Sequence, residues 1–175
     1  VIGHGDAGKT QLTASLAYVA GSTPRWGKVD EGTTITDFDE DSIERKVSLN
    51  NNFAHLEYGD SKINLIDTPG YAAFVAHARP ALRVADCALV VVDGVHGIEV
   101  QTEKTWQYAN EFLLPRFMVI NKIDKAERRL RETLAMLQPV SRIPLVLRQI
   151  PIWKDGIVAG FVDLALERAF IYREH

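Results

Sequence analysis

The sequence has almost no cysteine, no long apolar run and no excess of positive charge, and each absence removes a class of protein. Cys87 is the only cysteine among 175 residues, so no internal disulfide can form. A reducing compartment is the simpler assumption, and the thiol reads as a core residue. No apolar stretch approaches the roughly 18 residues of a membrane helix, and no signal-peptide pattern is present, so no membrane partner is expected. The net charge of −3 argues against a surface that grips nucleic acid by charge alone, and direct nucleic-acid binding is not expected of this chain. An initiator Met is also missing, and only Val1 and Ile2 stand where a buried strand belongs, so the chain reads as an excerpt of something longer. What is present, 46% hydrophobic and 25% charged residues, suits one globular domain, with room for a small insertion.

The organising stretch is Gly3-His4-Gly5-Asp6-Ala7-Gly8-Lys9-Thr10, which fits the phosphate-loop pattern of glycine, four free positions, glycine, lysine and a hydroxyl residue. Wrapping a phosphate requires successive backbone N–H groups turned inward, and Gly3, Gly5 and Gly8 permit turns and approaches that a Cβ would obstruct. Lys9 can reach the outer phosphates and the Thr10 hydroxyl can hold Mg²⁺, while a following helix adds its positive dipole end. That helix is expected from Lys9 to about Ala20, where Leu12, Leu16, Val19 and Ala20 recur at helical spacing before Gly21.

The polar 21–41 segment, with Gly27, Gly32 and Thr33-Thr34-Ile35-Thr36, reads as a mobile loop. Strand-like segments follow at Ile43–Leu49 and Phe53–Tyr58, and Gly59-Asp60-Ser61 predicts a hairpin into Lys62–Asp67. Phe74, Ala78, Leu82 and Ala85 have helical spacing, but Pro80 demands a kink or a late start. Cys87–Val92 and Met118–Ile120 suit strands buried on both faces. Val100, Trp106, Ala109 and Leu113 mark a helix between them, and Leu130, Leu134 and Leu137 another beyond. This alternation predicts an α/β fold with a mostly parallel sheet flanked by helices. Past Pro144, Val146–Ile152, a Lys154-Asp155-Gly156 turn, Ile157–Leu164 and Ala169–Tyr172 predict a small β-rich unit.

Two further signatures lie at strand ends, where α/β sheets keep their ligands. Asp67-Thr68-Pro69-Gly70 offers a carboxylate to a Mg²⁺ shell and the Gly70 N–H to a γ-phosphate. Asn121-Lys122-Ile123-Asp124 reads as a guanine selector. The Asp124 carboxylate can accept from both the N1 and N2 protons of guanine, the Lys122 stem can lie along the base, and Asn121 can tie this segment to the phosphate loop.

With these signatures in order, the whole chain resembles the translational GTPases, and most closely the G domain of elongation factor G or a divergent paralogue of it. The resemblance implies a P-loop GTPase fold that binds GTP and GDP with Mg²⁺, hydrolyses GTP and works on the ribosome in the cytoplasm, mainly through domains outside this chain. Glu31-Gly32-Thr33-Thr34-Ile35-Thr36 resembles the family's first switch, which makes Thr34 a catalytic and metal residue beside Thr10 and Asp67. Gln11, standing where a second threonine is usual, joins the nucleotide-binding stretch, and Asp6 resembles the aspartate that helps hold a monovalent cation in some members, with a solvated loop carboxylate as the alternative. Ile98–Glu103 resembles the family's stretch after the fourth core strand. Arg148-Gln149-Ile150-Pro151-Ile152 and Gly160-Phe161-Val162-Asp163-Leu164 are similar to the insertion that elongation factor G carries. The resemblance thus divides the chain into a G domain at 1–140, short at its first strand and lacking the last guanine motif, and part of an inserted subdomain at 141–175.

The departures concern chemistry. Tyr71 stands where the family usually has a histidine that orients the attacking water, Gly5 and Thr33 stand at the hydrophobic gate, and Glu31 replaces an arginine. The catalytic set implied is therefore Lys9, Thr34, Gly70 and Tyr71, with slow intrinsic hydrolysis. The alternatives are a GTP-dependent binding module whose hydrolysis is vestigial, or a release-factor or tetracycline-protection relative.

Overall fold

A computed structural model describes residues 1–126 and 130–173. A short strand β1 (Ile2–Gly3) leads through a loop into helix α1 (Lys9–Val19), and a short helix α2 (Glu40–Arg45) interrupts the long connection to β2 (Asn52–Tyr58) and β3 (Ser61–Asp67). Then come α3 (Ala78–Arg83), β4 (Ala88–Asp93), α4 (Val100–Glu111), β5 (Arg116–Asn121) and α5 (Leu130–Leu137), followed by β6 (Gln149–Lys154), β7 (Ile157–Asp163) and β8 (Arg168–Ile171).

β1, β4 and β5 pair in parallel in that order. β3 meets the start of β1 through the Val1 amine, which donates to the Ile66 carbonyl at 2.7 Å, and through the Thr68 N–H, which donates to the Val1 carbonyl at 3.2 Å. The carboxyl ends of β1, β3, β4 and β5 thus carry the phosphate loop, Asp67, Asp93 and Asn121. β2 and β3 form the expected hairpin, with Tyr58 opposite Ser61. β6, β7 and β8 form a separate antiparallel meander.

The core joins Ile2, Val90 and Val92 of the sheet to Leu82, Trp106, Ala109 and Leu137 of α3, α4 and α5. Each large apolar side chain so buried contributes about 1.5–3 kcal/mol. Pro80 is accommodated by a late start: a 3₁₀ turn spans Val75–His77 and α3 begins at Ala78, so proline falls in the first turn, where its missing N–H costs little.

Several expectations are corrected. Ile43–Leu49 is not a strand. Residues 40–45 are helical because Glu40 and Asp41 favour a helix start and Arg45 its end, and Lys46 closes the helix in the left-handed conformation. The 21–41 segment is not loose throughout, since Thr34, Thr36 and Asp37 are buried. Cys87 is exposed, because it lies in the turn before β4. Helix α1 buries Thr13, Ala14 and Ala17 and leaves Leu16 and Val19 exposed. Small inward residues set it close to the sheet. In α4 the inward face is Gln101, Thr102, Thr105, Trp106 and Ala109, with Val100 and Leu113 outside. β5 is half-buried rather than covered on both faces.

Candidate nucleotide and metal site

The phosphate-loop stretch folds over the carboxyl end of the sheet and closes on itself through Lys9, whose Nζ donates to the His4 carbonyl at 2.6 Å. His4 is fixed in turn by its N–H to Thr102 Oγ1 at 3.2 Å and by its Nδ1, which accepts from the Gln101 N–H at 3.4 Å. Gly70 is drawn against the same loop: a Cβ built on it would fall 2.2 Å from Lys9 Nζ and 2.6 Å from the Gly5 N, so only glycine fits there. Lys9, Gly70 and the loop amides therefore converge at one end of the site. Burial pushes the Lys9 ammonium down to about 8, despite the nearby carboxylates of Asp67, Asp6 and Asp37. A buried cation whose hydrogen-bond partner among the described residues is a carbonyl suits an incoming polyanion.

Beside it lies a cluster of hard oxygen atoms. Thr10 Oγ1 donates to Asp67 Oδ2 at 2.7 Å, and Thr36 Oγ1 donates to the same oxygen at 3.4 Å. Ser48 Oγ donates to Asp37 Oδ2 at 2.9 Å and stands 3.0 Å from Thr10 Oγ1. Asn52 Nδ2 holds the other Asp37 oxygen at 3.0 Å. The Thr10 and Ser48 hydroxyls are within hydrogen-bonding distance of each other and either can donate, while the fully buried Asp67 Oδ1 has no hydrogen-bond partner among the described residues. Burial raises the Asp67 and Asp37 carboxyls above their ordinary range, while the Thr10 bond and Lys9 oppose the rise for Asp67, and the Ser48 and Asn52 bonds for Asp37. An orphaned carboxylate oxygen beside two hydroxyl oxygens is a donor set that fits a hard divalent cation.

The sequence reading places Thr34 beside Mg²⁺, whereas the hydroxyl that reaches this cluster from the connection after α1 in the structure is that of Ser48. Thr34 is buried but its Oγ1 accepts from the Asp37 N–H at 3.3 Å, a local turn contact, and it makes no bond to Thr10 or Asp67 among the described residues. Helix α2 carries the chain round so that Ser48, not Thr34, meets Thr10. Acidic residues at 40–41 and basic ones at 45–46 were the signal for that helix.

The other sequence-selected residues divide. Asn121 does tie its segment to the loop, donating from Nδ2 to the Ala7 carbonyl at 2.9 Å. Lys122, in the left-handed conformation, sends its Nζ to Asp93 Oδ2 at 2.8 Å. Burial pushes Asp93 up, but that bond and the N–H groups of Val95 and His96 outweigh it and hold the carboxyl well below the usual range. Asp93 had no role in the sequence reading, yet it anchors Lys122. Ile123 starts a 3₁₀ turn and Asp124 is exposed beside it. Gln11 faces away from the loop, linking α1 to the Gly27 carbonyl and the Val29 N–H. Thr68 Oγ1 donates to the Val1 carbonyl and Pro69 is buried in the turn before Gly70. Gly3, Gly5, Asp6, Ala7 and Gly8 form the loop itself, and Tyr71 lies against it.

Comparison with known proteins agrees with this geometry. The model of the elongation factor Tu GTP binding domain matches residues 1–156. Elongation factor G 2 of Streptomyces coelicolor is 36% identical over 175 residues, covering 99% of this chain and 25% of that protein. The mitochondrial ribosome-releasing factor 2 of Scheffersomyces stipitis is 34% identical over 169 residues, covering 94% of this chain and 20% of that protein. A crystal structure of a protein from Thermus thermophilus superposes with a TM-score of 0.92 at 34% identity, covering 98% of this chain and 26% of that one. The chain thus spans a quarter or less of the length of the two curated relatives.

Proposed function

Because the chain belongs to the elongation factor Tu GTP-binding domain family, we propose that it is the GTP-binding and GTP-hydrolysing module of a ribosome-associated elongation factor resembling elongation factor G. The observation that carries this reading is the convergence of Lys9, Thr10, Asp67 and Gly70 on the phosphate loop, with Asp67 Oδ1 left unsatisfied in a buried site. In this reading the loop amides of residues 3–11 wrap the phosphates, Lys9 Nζ exchanges the His4 carbonyl for a phosphate oxygen, and the Gly70 N–H faces the γ-phosphate. Asn121 braces the loop from behind, Lys122 flanks the base, and the exposed Asp124 selects guanine.

Thr10, Ser48 and Asp67 would hold Mg²⁺, with Asp37 and Thr36 orienting Ser48 and Asp67; Thr34 is left to shape the connection. The ion would supply charge neutralisation on the outer phosphates. A monovalent cation beside Asp6 belongs to the same reading. So do the division into a G domain at 1–140 and an inserted subdomain from 141, a ribosomal partner, and a cytoplasmic setting. No described helix is long and apolar enough to cross a membrane.

A second reading is favoured by one contact. The Tyr71 hydroxyl is bound to Asp6, which suits a GTP-dependent binding module with vestigial hydrolysis. Similarity to ribosome-releasing factor 2 keeps a post-termination role beside an elongation role. Hydrolysis of GTP and ATP by the full-length protein, with and without ribosomes, tests these readings. GTP-selective turnover stimulated by ribosomes is expected, and a protein that binds GTP but turns it over in neither condition supports the binding module instead.

A further inference from the structure

Two consecutive residues in the first turn of α1 hold two distant stretches of the long connection to β2. Thr10 meets Ser48 near its end. Gln11 faces another side of the helix, and its side-chain amide grips the connection near its start: Nε2 donates to the Gly27 carbonyl at 2.9 Å, and Oε1 accepts from the Val29 N–H at 3.2 Å. One turn further along, Ser15 Oγ donates to the Gln11 carbonyl at 2.8 Å, which commits its proton and leaves a lone pair for the Trp26 indole N–H at 2.9 Å.

Packing adds little to this clasp. Trp26 is half exposed, Gly27 is the one buried residue between Gly21 and Thr33, and a cavity of about 290 Å³, lined in part by Ala14, Pro24, Arg25 and Ile35, parts the connection from the helix beside it. From Gly27 the restraint runs inward. A Cβ built on Gly27 would fall 2.4 Å from the Thr33 carbonyl oxygen and 2.8 Å from the Thr34 Cα, so Thr33 and Thr34 are seated on the clasped residue. The stretch between closes on itself, since the Lys28 N–H donates to Thr33 Oγ1 at 3.0 Å and the Thr33 N–H donates to the Lys28 carbonyl at 3.1 Å. Gly32 abuts α2, where a Cβ built on it would stand 2.6 Å from Ile43 Cγ2, and α2 leads the chain on to Ser48. The contacts thus run in a ring from Gln11 back to its neighbour Thr10.

We propose that Gln11 is a positioning residue for the cation site: by clasping residues 26–29 to α1, it holds the rest of the connection, Thr34 to Ser48, over Thr10 and Asp67 without touching the ion itself. The proposal rests on the GTPase reading above. The Gln11 main-chain N–H takes no part in the clasp and keeps its place among the loop amides, so the side chain of this residue serves the connection while its backbone serves the phosphates.

The test is binding of fluorescent GTP to the full-length protein in EDTA and in saturating Mg²⁺, with amide exchange of the nucleotide-free protein measured in parallel, for wild type, Gln11→Met, Gly27→Ala and the double variant. Methionine keeps the length of glutamine and removes both bonds, whereas Gly27→Ala strains the same clasp from the other side and leaves residue 11 intact. In each single variant the gain in GTP affinity that Mg²⁺ brings is expected to fall about 5-fold or more, with affinity in EDTA changed less than about 2-fold, and the double variant to be no worse than the worse single one. Amides of residues 26–34 are expected to exchange about threefold faster or more in nucleotide-free Gln11→Met, while β4 and β5 keep their wild-type rates. A wild type that gains affinity from Mg²⁺ and a Gln11→Met that gains as much overturn the proposal alone. So does a Gln11→Met loss that is as large in EDTA, a Gly27→Ala without effect, or a double variant in which the two losses multiply. A wild type that gains nothing from Mg²⁺ removes the GTPase reading and the proposal with it.

Discussion

Ser48 Oγ stands 3.0 Å from Thr10 Oγ1, a contact that links the Asp37 carboxylate, to which Ser48 donates, with Asp67, to which Thr10 donates and which keeps a buried unpartnered oxygen among the described residues. The contact makes Ser48 a candidate, beside Thr34, for the hydroxyl that the long connection would contribute to a metal. Ser48→Ala is expected to weaken Mg²⁺-dependent nucleotide binding by about 10-fold or more, within the range seen when groups around a metal are removed. Thr34→Ala should leave the Mg²⁺ dependence near wild type. Magnesium titrations of fluorescent GTP binding check both, and a larger effect at Thr34 than at Ser48 would restore the assignment made from sequence.

Residues such as Thr10, Asp67 and Asn121 were legible from sequence because each sits at a fixed offset from a strand end, and the sheet places strand ends without help from distant segments. Ser48 was not legible, because its position depends on α2, a six-residue helix whose apolar Ile43 and following Val47 and Leu49 imitate strand alternation. The parallel sheet followed from the alternation of apolar runs with helical stretches, though its strand order and the full inward faces of α1 and α4 did not. Helix α1 turns threonine and alanine inward, so hydrophobic spacing pointed to its outer side, while in α4 the spacing found Trp106 and Ala109 but not the inward Gln101, Thr102 and Thr105. Nor could spacing show that Tyr71 meets Asp6, a contact set by the loop's backbone.

Asp124 is exposed at the carboxyl edge of β5, where a base can meet it. Paired acceptance from guanine N1 and N2 uses charge-assisted bonds worth about 1.5–3 kcal/mol each, and adenine leaves them unmade. Asp124→Asn is expected to cut GTP affinity by about 100-fold or more and to shift preference toward xanthine nucleotides. Competition binding checks this, and equal wild-type affinity for ATP and GTP would remove the assignment.

Lys9 carries a pH signature. Its pKa, brought down to about 8 by burial, rises again when phosphate oxygens replace the His4 carbonyl, so binding takes up protons. The sign follows from linkage: affinity is greatest below pH 8 and declines as pH rises through that value, because a neutral Lys9 must first be protonated. Roughly half a proton is expected to be taken up per nucleotide at about pH 8. Calorimetry in two buffers of different ionisation heat measures it, and proton release or none would contradict the placement of Lys9 at the phosphates.

The β6–β8 meander offers a test of the boundary near residue 140. Its strands pair only with one another among the described residues, and Phe161 stacks on Phe170 with ring centroids 5.0 Å apart. Such a pair contributes about 0.5–1.5 kcal/mol beyond the area it buries. Removing the Phe161 ring should therefore loosen β7 against β8 without reaching the phosphate loop. Phe161→Ala is expected to speed amide exchange at least about threefold across residues 149–171 of the full-length protein, while GTP affinity stays within about twofold of wild type. Exchange that quickens equally in α1 and β4, or a comparable loss of nucleotide binding, would mean that the meander and the nucleotide site unfold as one unit and that the boundary is misplaced.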